Sequence, residues 1–138
     1  MLALAISAEE DDGRIYRTCA EMVRADYPDT AKLLDEMAVE EDGHRARLIA
    51  QYKRRFGPVI PPIRREHITG FYTRKPLWLM TSLSIDRIRE EVTAMESAAH
   101  AFYVRAAQRT TDADTRKLLG DLAVTEAGHQ KTAQEMTA

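Results

Sequence analysis

The stretch Asp29–His44, DTAKLLDEMAVEEDGH, returns 85 residues later as Asp114–His129, DTRKLLGDLAVTEAGH. Both copies open on Asp-Thr-x-Lys-Leu-Leu and keep Ala-Val, Glu, Gly and His at matching places. Self-similarity at a fixed offset marks a repeated supersecondary unit. Each copy runs at helical spacing. Leu34, Met37, Glu41, His44 and Leu48 fall on one stripe, and Leu119, Leu122, Glu126, His129 and Ala133 fall on its counterpart.

Each copy is preceded by a further helical stripe. The first carries Leu2, Ala5, Glu9, Tyr16, Ala20 and Val23; the second carries Ile85, Ile88, Val92, Glu96, Ala99, Tyr103 and Ala106. Glu9 and Tyr16 are paralleled by Glu96 and Tyr103 at an offset of 87, and the two-residue difference falls in the interhelical turn, where length changes are tolerated. The pattern predicts helices over about 2–25, 29–56, 84–109 and 113–136. Asp26-Tyr27-Pro28-Asp29 closes the first, because proline disfavours helix before it and suits the first turn of the next. Gly57-Pro58 stops the second, and Ser84 is the expected N-cap of the third. Pro58, Pro61, Pro62, Gly70 and Pro76 make residues 57–83 a long connection. The expected architecture is all-α, a single domain over 1–138: a four-helix bundle of two duplicated hairpins joined by a long crossover.

Composition narrows the function classes. A chain of 138 residues can bury a core without disulfides, and its single cysteine, Cys19, excludes both a disulfide framework and a four-cysteine metal knuckle. A net charge of −2 argues against nucleic acid as a partner, since phosphate neutralisation needs a basic surface. No apolar run approaches the roughly 18 residues that span a bilayer. Met1–Ile6 is apolar, but the acidic Glu9-Glu10-Asp11-Asp12 follows and no basic segment precedes it, unlike a signal peptide. The expected location is cytoplasmic.

The chemistry lies on the stripes. Each hairpin offers one glutamate in its first helix and a Glu-x-x-His in its second, and residues i and i+3 share a helix face. Glu9, Glu41, His44, Glu96, Glu126 and His129 therefore all fall on core-facing stripes. Four ionised carboxylates without partners could not be buried there. Two divalent cations would neutralise them, with neutral imidazoles completing the set. Glutamates from two helices plus Glu-x-x-His from the other two is the pattern of ferritin-like di-iron carboxylate proteins. Oxygen and imidazole donors suit iron, with manganese as the alternative, whereas structural zinc favours thiolates. Tyr16 and Tyr103, seven residues beyond Glu9 and Glu96, are expected to hydrogen-bond a ligating carboxylate, against the plainer reading of two core tyrosines.

Other residues read more blandly. His100, one turn beyond Glu96, reads as a surface or supporting histidine. Glu10, Asp12 and Glu40 adjoin ligand positions and read as solvated or helix-terminus charges, and His67 has no partner motif. Gly43 and Gly128 each cost about 1 kcal/mol against alanine in a helix. Their repetition points to close helix approach or to an inherited duplication.

At these residues the chain resembles the rubrerythrin branch of the ferritin-like superfamily. More narrowly it resembles the N-terminal domain of the erythrin–vacuolar iron transporter fusions, also called membrane-bound ferritins. Ile6–Tyr16, Met37–Leu48, Ile63–Leu79 and Ala113–His129 carry the likeness. The resemblance implies that Glu9, Glu41, His44, Glu96, Glu126 and His129 ligate two irons. Two departures stand out. Rubrerythrins proper have an extra glutamate three residues after the third-helix ligand, where this chain has Ala99. These 138 residues also include neither a four-cysteine rubredoxin domain nor a transporter domain, which fits a homologue without them or a piece of a longer protein.

The expected activity is Fe(II) binding and oxidation by dioxygen or hydrogen peroxide, an oxidoreductase of ferroxidase or peroxidase type serving iron handling and oxidative-stress protection. The alternatives are an iron-binding or iron-sensing module serving a membrane iron transporter with little turnover, and a rubrerythrin-type peroxidase using an external reductant. Arg64-Arg65, Phe71-Tyr72 and Arg74-Lys75-Pro76-Leu77-Trp78 are the stretch that would dock on such a partner or a membrane surface. A homodimer is expected, because a long connection lets hairpins pair within a chain or swap between chains.

Overall fold

A computed structural model of the chain describes residues 2–60 and 84–135. It contains α1 (Leu2–Val23), α2 (Pro28–Phe56), α3 (Ile85–Arg109) and α4 (Ala113–Gln134). α1 packs chiefly on α2 and α3 on α4, while α1 also touches α3 and α2 touches α4. The result is the expected all-α four-helix bundle of two hairpins. Residues 61–83 lie outside the described residues, and with them Ile63–Leu79, His67 and the basic–aromatic stretch.

Local chemistry sets the helix ends. Pro28 stands in the first turn of α2, where its missing N–H costs nothing. Gly57, at φ 92° and ψ −175°, takes a positive-φ conformation open to glycine where α2 ends, its N–H bonding to the Lys53 carbonyl. The Ser84 hydroxyl accepts from the Arg87 N–H at 3.1 Å, as its N-cap reading requires. Asp112 caps α4 in the same way, accepting from the Thr115 N–H at 2.9 Å. α1 ends at Val23 rather than near Ala25, because residues 24–26 already belong to the turn.

Every residue of the four expected stripes is buried. The apolar ones form two clusters. One holds Ile15, Tyr16, Leu34, Met37, Ile88, Val92, Met95 and Ala133 among others. The other holds Leu2, Ile6, Leu48, Tyr103, Leu119 and Leu122. Along each helix the turn bearing the glutamate separates residues of the two clusters, so the acidic layer is closed by hydrocarbon above and below. α1 also departs from a single stripe: Leu2 to Ile6, Ala8, Asp11, Asp12 and Gly13 are buried around the helix.

Gly13 meets α2 closely. A Cβ there would stand 3.3 Å from Arg17 Nη1 and 3.9 Å from the Ala38 carbonyl oxygen. Gly43 and Gly128 behave differently, since a Cβ at either would meet nothing within 4 Å. Their repetition does not mark close helix approach within the chain. Surface ion pairs reach α2 from α1 and from the turn that follows it, Arg17 to Asp42 and Arg24 to Asp35 at 2.9 Å, but such half-exposed pairs contribute little beside the packed core.

Candidate metal centre

The four helices bring all six expected ligand residues to one place. Glu9, Glu41, His44 and Glu126 form one buried group, and Glu41, Glu96, Glu126 and His129 form a second; in each, one ligating atom per residue lies within 4.8 Å of all the others. Glu41 and Glu126 belong to both groups, one from each hairpin. Helical spacing does the local work, because three residues put each glutamate and its histidine on one face. His44 Nδ1 stands 3.5 Å from Glu9 Oε2, 3.8 Å from Glu41 Oε2 and 3.4 Å from Glu126 Oε1. His129 Nδ1 stands 3.2 Å from Glu41 Oε1, 3.5 Å from Glu96 Oε2 and 3.7 Å from Glu126 Oε2. The two imidazoles lie near parallel, 18° apart, with centroids separated by 5.7 Å.

These groups are sealed from water and from ordinary partners. Glu41, Glu96 and Glu126 are 0% exposed and Glu9 is 2% exposed. Both oxygens of Glu41, Glu96 and Glu126, Glu9 Oε2 and the Nδ1 of both histidines are buried without a hydrogen bond. An unpartnered buried polar atom costs about 1–3 kcal/mol, more when charged, so a convergent set of them calls for cations or protons to compensate it. Two divalent ions would satisfy the orphaned atoms and balance the four carboxylates. The donor set fits a di-metal site.

Without metal, protons take the cations' place. Burial works against a charged His44, yet the facing Glu126 and Glu41 carboxylates outweigh it and raise its pKa to about 9. His129 is likewise raised, by Glu126, Glu41 and Glu96 against burial. Burial, then the neighbouring Glu126 charge, push Glu96 well above the ordinary carboxylate range. Burial would raise Glu126 too, but Glu96 and both imidazoles hold it below its usual value.

The surroundings follow the sequence reading only in part. The Tyr103 hydroxyl donates to Glu9 Oε1 across the hairpins. Tyr16, its counterpart, is fully buried with a hydroxyl that has no hydrogen-bond partner. His100 does not join the cluster; its Nδ1 pairs with the Ala123 carbonyl at 2.8 Å. Glu10 is exposed, but Asp12 is buried rather than solvated. Glu40 is the residue that the sequence reading missed. Its carboxylate accepts from His129 Nε2, on the side of the ring away from the cluster. Finding it requires knowing that α2 and α4 are neighbours, which no motif in the chain encodes.

A family model described as Rubrerythrin matches residues 1–137. No curated protein and no solved structure matches the chain.

Proposed function

The chain belongs to the rubrerythrin family, and from that premise we propose that its buried centre binds two iron ions and oxidises Fe(II) with dioxygen or hydrogen peroxide. The observation that carries the reading is the convergence of orphaned carboxylate oxygens and imidazole nitrogens in a dry layer between two apolar clusters. In this reading Glu41 and Glu126 serve both ions, Glu9 and His44 complete one position, and Glu96 and His129 complete the other. Bound iron supplies the electrons that reduce the oxidant. Manganese satisfies the same donors, while zinc offers no redox chemistry.

The chain's own residues set the conditions for that chemistry. Tyr103 orients Glu9 through its hydroxyl, leaving Oε2 turned towards His44. Ile15, Val92 and Met95 on one side, and Leu48, Leu119 and Leu122 on the other, exclude bulk water and so strengthen each charge interaction inside. Cys19 lies within an apolar cluster and outside both Glu/His groups, so no thiolate competes for the metal.

Anaerobic Fe(II) titration of the full chain should end at two ions per chain. Admitting oxygen or peroxide should then consume Fe(II) with growth of near-ultraviolet absorption. Glu9→Ala combined with Glu96→Ala should abolish both, and unchanged stoichiometry in that double variant would sink the assignment. Many turnovers per chain support an enzyme, whereas one stoichiometric event supports an iron-holding module.

A further inference from the structure

The two halves match ligand for ligand, but the matching fails just outside the ligands. Glu40 accepts from His129 Nε2, whereas the residue at the corresponding place in the other half is Thr125. The Thr125 hydroxyl donates instead to the Asp121 carbonyl of its own helix, at 3.2 Å. Among the described residues no carboxylate meets His44 Nε2. The two imidazoles are therefore presented differently, although both turn Nδ1 to the cluster.

We propose that Glu40 is a positioning residue that makes the two metal positions unequal. The position formed by Glu41, Glu96, Glu126 and His129 fills first and holds its ion more tightly than the position formed by Glu9, Glu41, His44 and Glu126. This inference rests on the di-metal reading. An ionised carboxylate can only accept, so Glu40 fixes the His129 proton on Nε2 and aims the Nδ1 lone pair at the ion. It also raises the basicity of the ring. Removing such an outer partner typically weakens metal binding 10–100-fold. Tyr103 biases the other position in the same direction, because its hydroxyl draws electron density from Glu9. Glu40 itself is 54% exposed, so its replacement opens no cavity in the core.

Anaerobic Co(II) titration, followed by visible absorption, tests the ordering on the full chain. Wild type should show a tight event and a weaker one. His44→Ala should keep the tight event and His129→Ala should lose it. Glu40→Ala should weaken the tight event 10–100-fold, with Glu40→Gln intermediate, since the amide oxygen still accepts but carries no charge. Thr125→Glu, which supplies the missing carboxylate, should strengthen the weaker event about tenfold. Two Co(II) bound with the tight event unmoved by Glu40→Ala, or lost in His44→Ala rather than His129→Ala, would overturn the ordering alone. Failure of wild type to bind Co(II) would overturn the di-metal reading with it.

Discussion

The Tyr103 hydroxyl on α3 donates to the Glu9 carboxylate on α1, so a side chain of the second hairpin holds a candidate ligand of the first. Tyr16, 87 residues earlier on α1, has the matching place in the repeat, and its buried hydroxyl bonds to nothing. Two tyrosines indistinguishable by motif thus stand in different energetic positions. One satisfies a carboxylate oxygen, while the other adds an unsatisfied donor to an apolar cluster.

The two hydroxyls should therefore respond differently to removal. In chelator-treated protein Tyr103→Phe is expected to cost about 1.5–3 kcal/mol, the span for a hydrogen bond to a charged group. Tyr16→Phe is expected to be neutral or slightly stabilising, because it removes a hydroxyl that has no partner. Urea midpoints of the two variants check this. Equal losses would show that the pair is symmetric in solution.

Glu96 offers the clearest conflict between stability and site chemistry. It is fully buried, with both oxygens unpartnered and its pKa raised by burial. Glu96→Leu removes two buried oxygens that have no partner, and is expected to raise the stability of the chelated protein by about 1–3 kcal/mol. The same change should halve the metal stoichiometry. Thermal melts and metal analysis of one preparation test both halves, and a destabilised chelated variant would contradict the first.

Cys19 should be chemically silent in the folded protein. It is 0% exposed within an apolar cluster, and burial, helped by Glu91, pushes its thiol up to about 12. A thiol disulfide reagent should label it only after denaturation, since the thiolate is the reactive form. Stoichiometric labelling of native protein at neutral pH would refute the packing around α1.

The hairpins and the six residues that converge in the buried layer were legible because they repeat. An offset of 85 carries Glu41 and His44 onto Glu126 and His129, and helical periodicity then turns each stripe inwards. What remained hidden depends on which helix faces which. Glu40 looked like a solvated charge because its partner, His129, lies 89 residues away on α4. The burial of Asp12 was missed for a related reason, since periodicity reports one face of α1 and the structure buries a second. Gly43 and Gly128 misled in the opposite sense. Both recur at the same offset, but a Cβ added at either would meet no described residue within 4 Å.

The metal-free protein should lose stability as pH rises through the alkaline side of neutrality. His44 has a folded pKa of about 9 against an ordinary value of 6.5, so the native state binds its proton more tightly than the unfolded chain does. The stabilisation is then fully present below pH 6.5 and lost as pH rises through about 9; it amounts to something on the order of 3 kcal/mol. His129 and Glu96, both raised, act in the same direction. Metal ions displace these protons, so the loaded protein should lack the decline, and metal affinity should rise across the same window. Paired melting curves with chelator and with Mn(II), from pH 6 to 9.5, measure both effects. A chelated protein whose stability is flat or rising between pH 6.5 and 9 would mean that protons do not stand in for the cations, and that the carboxylates find other partners when metal leaves.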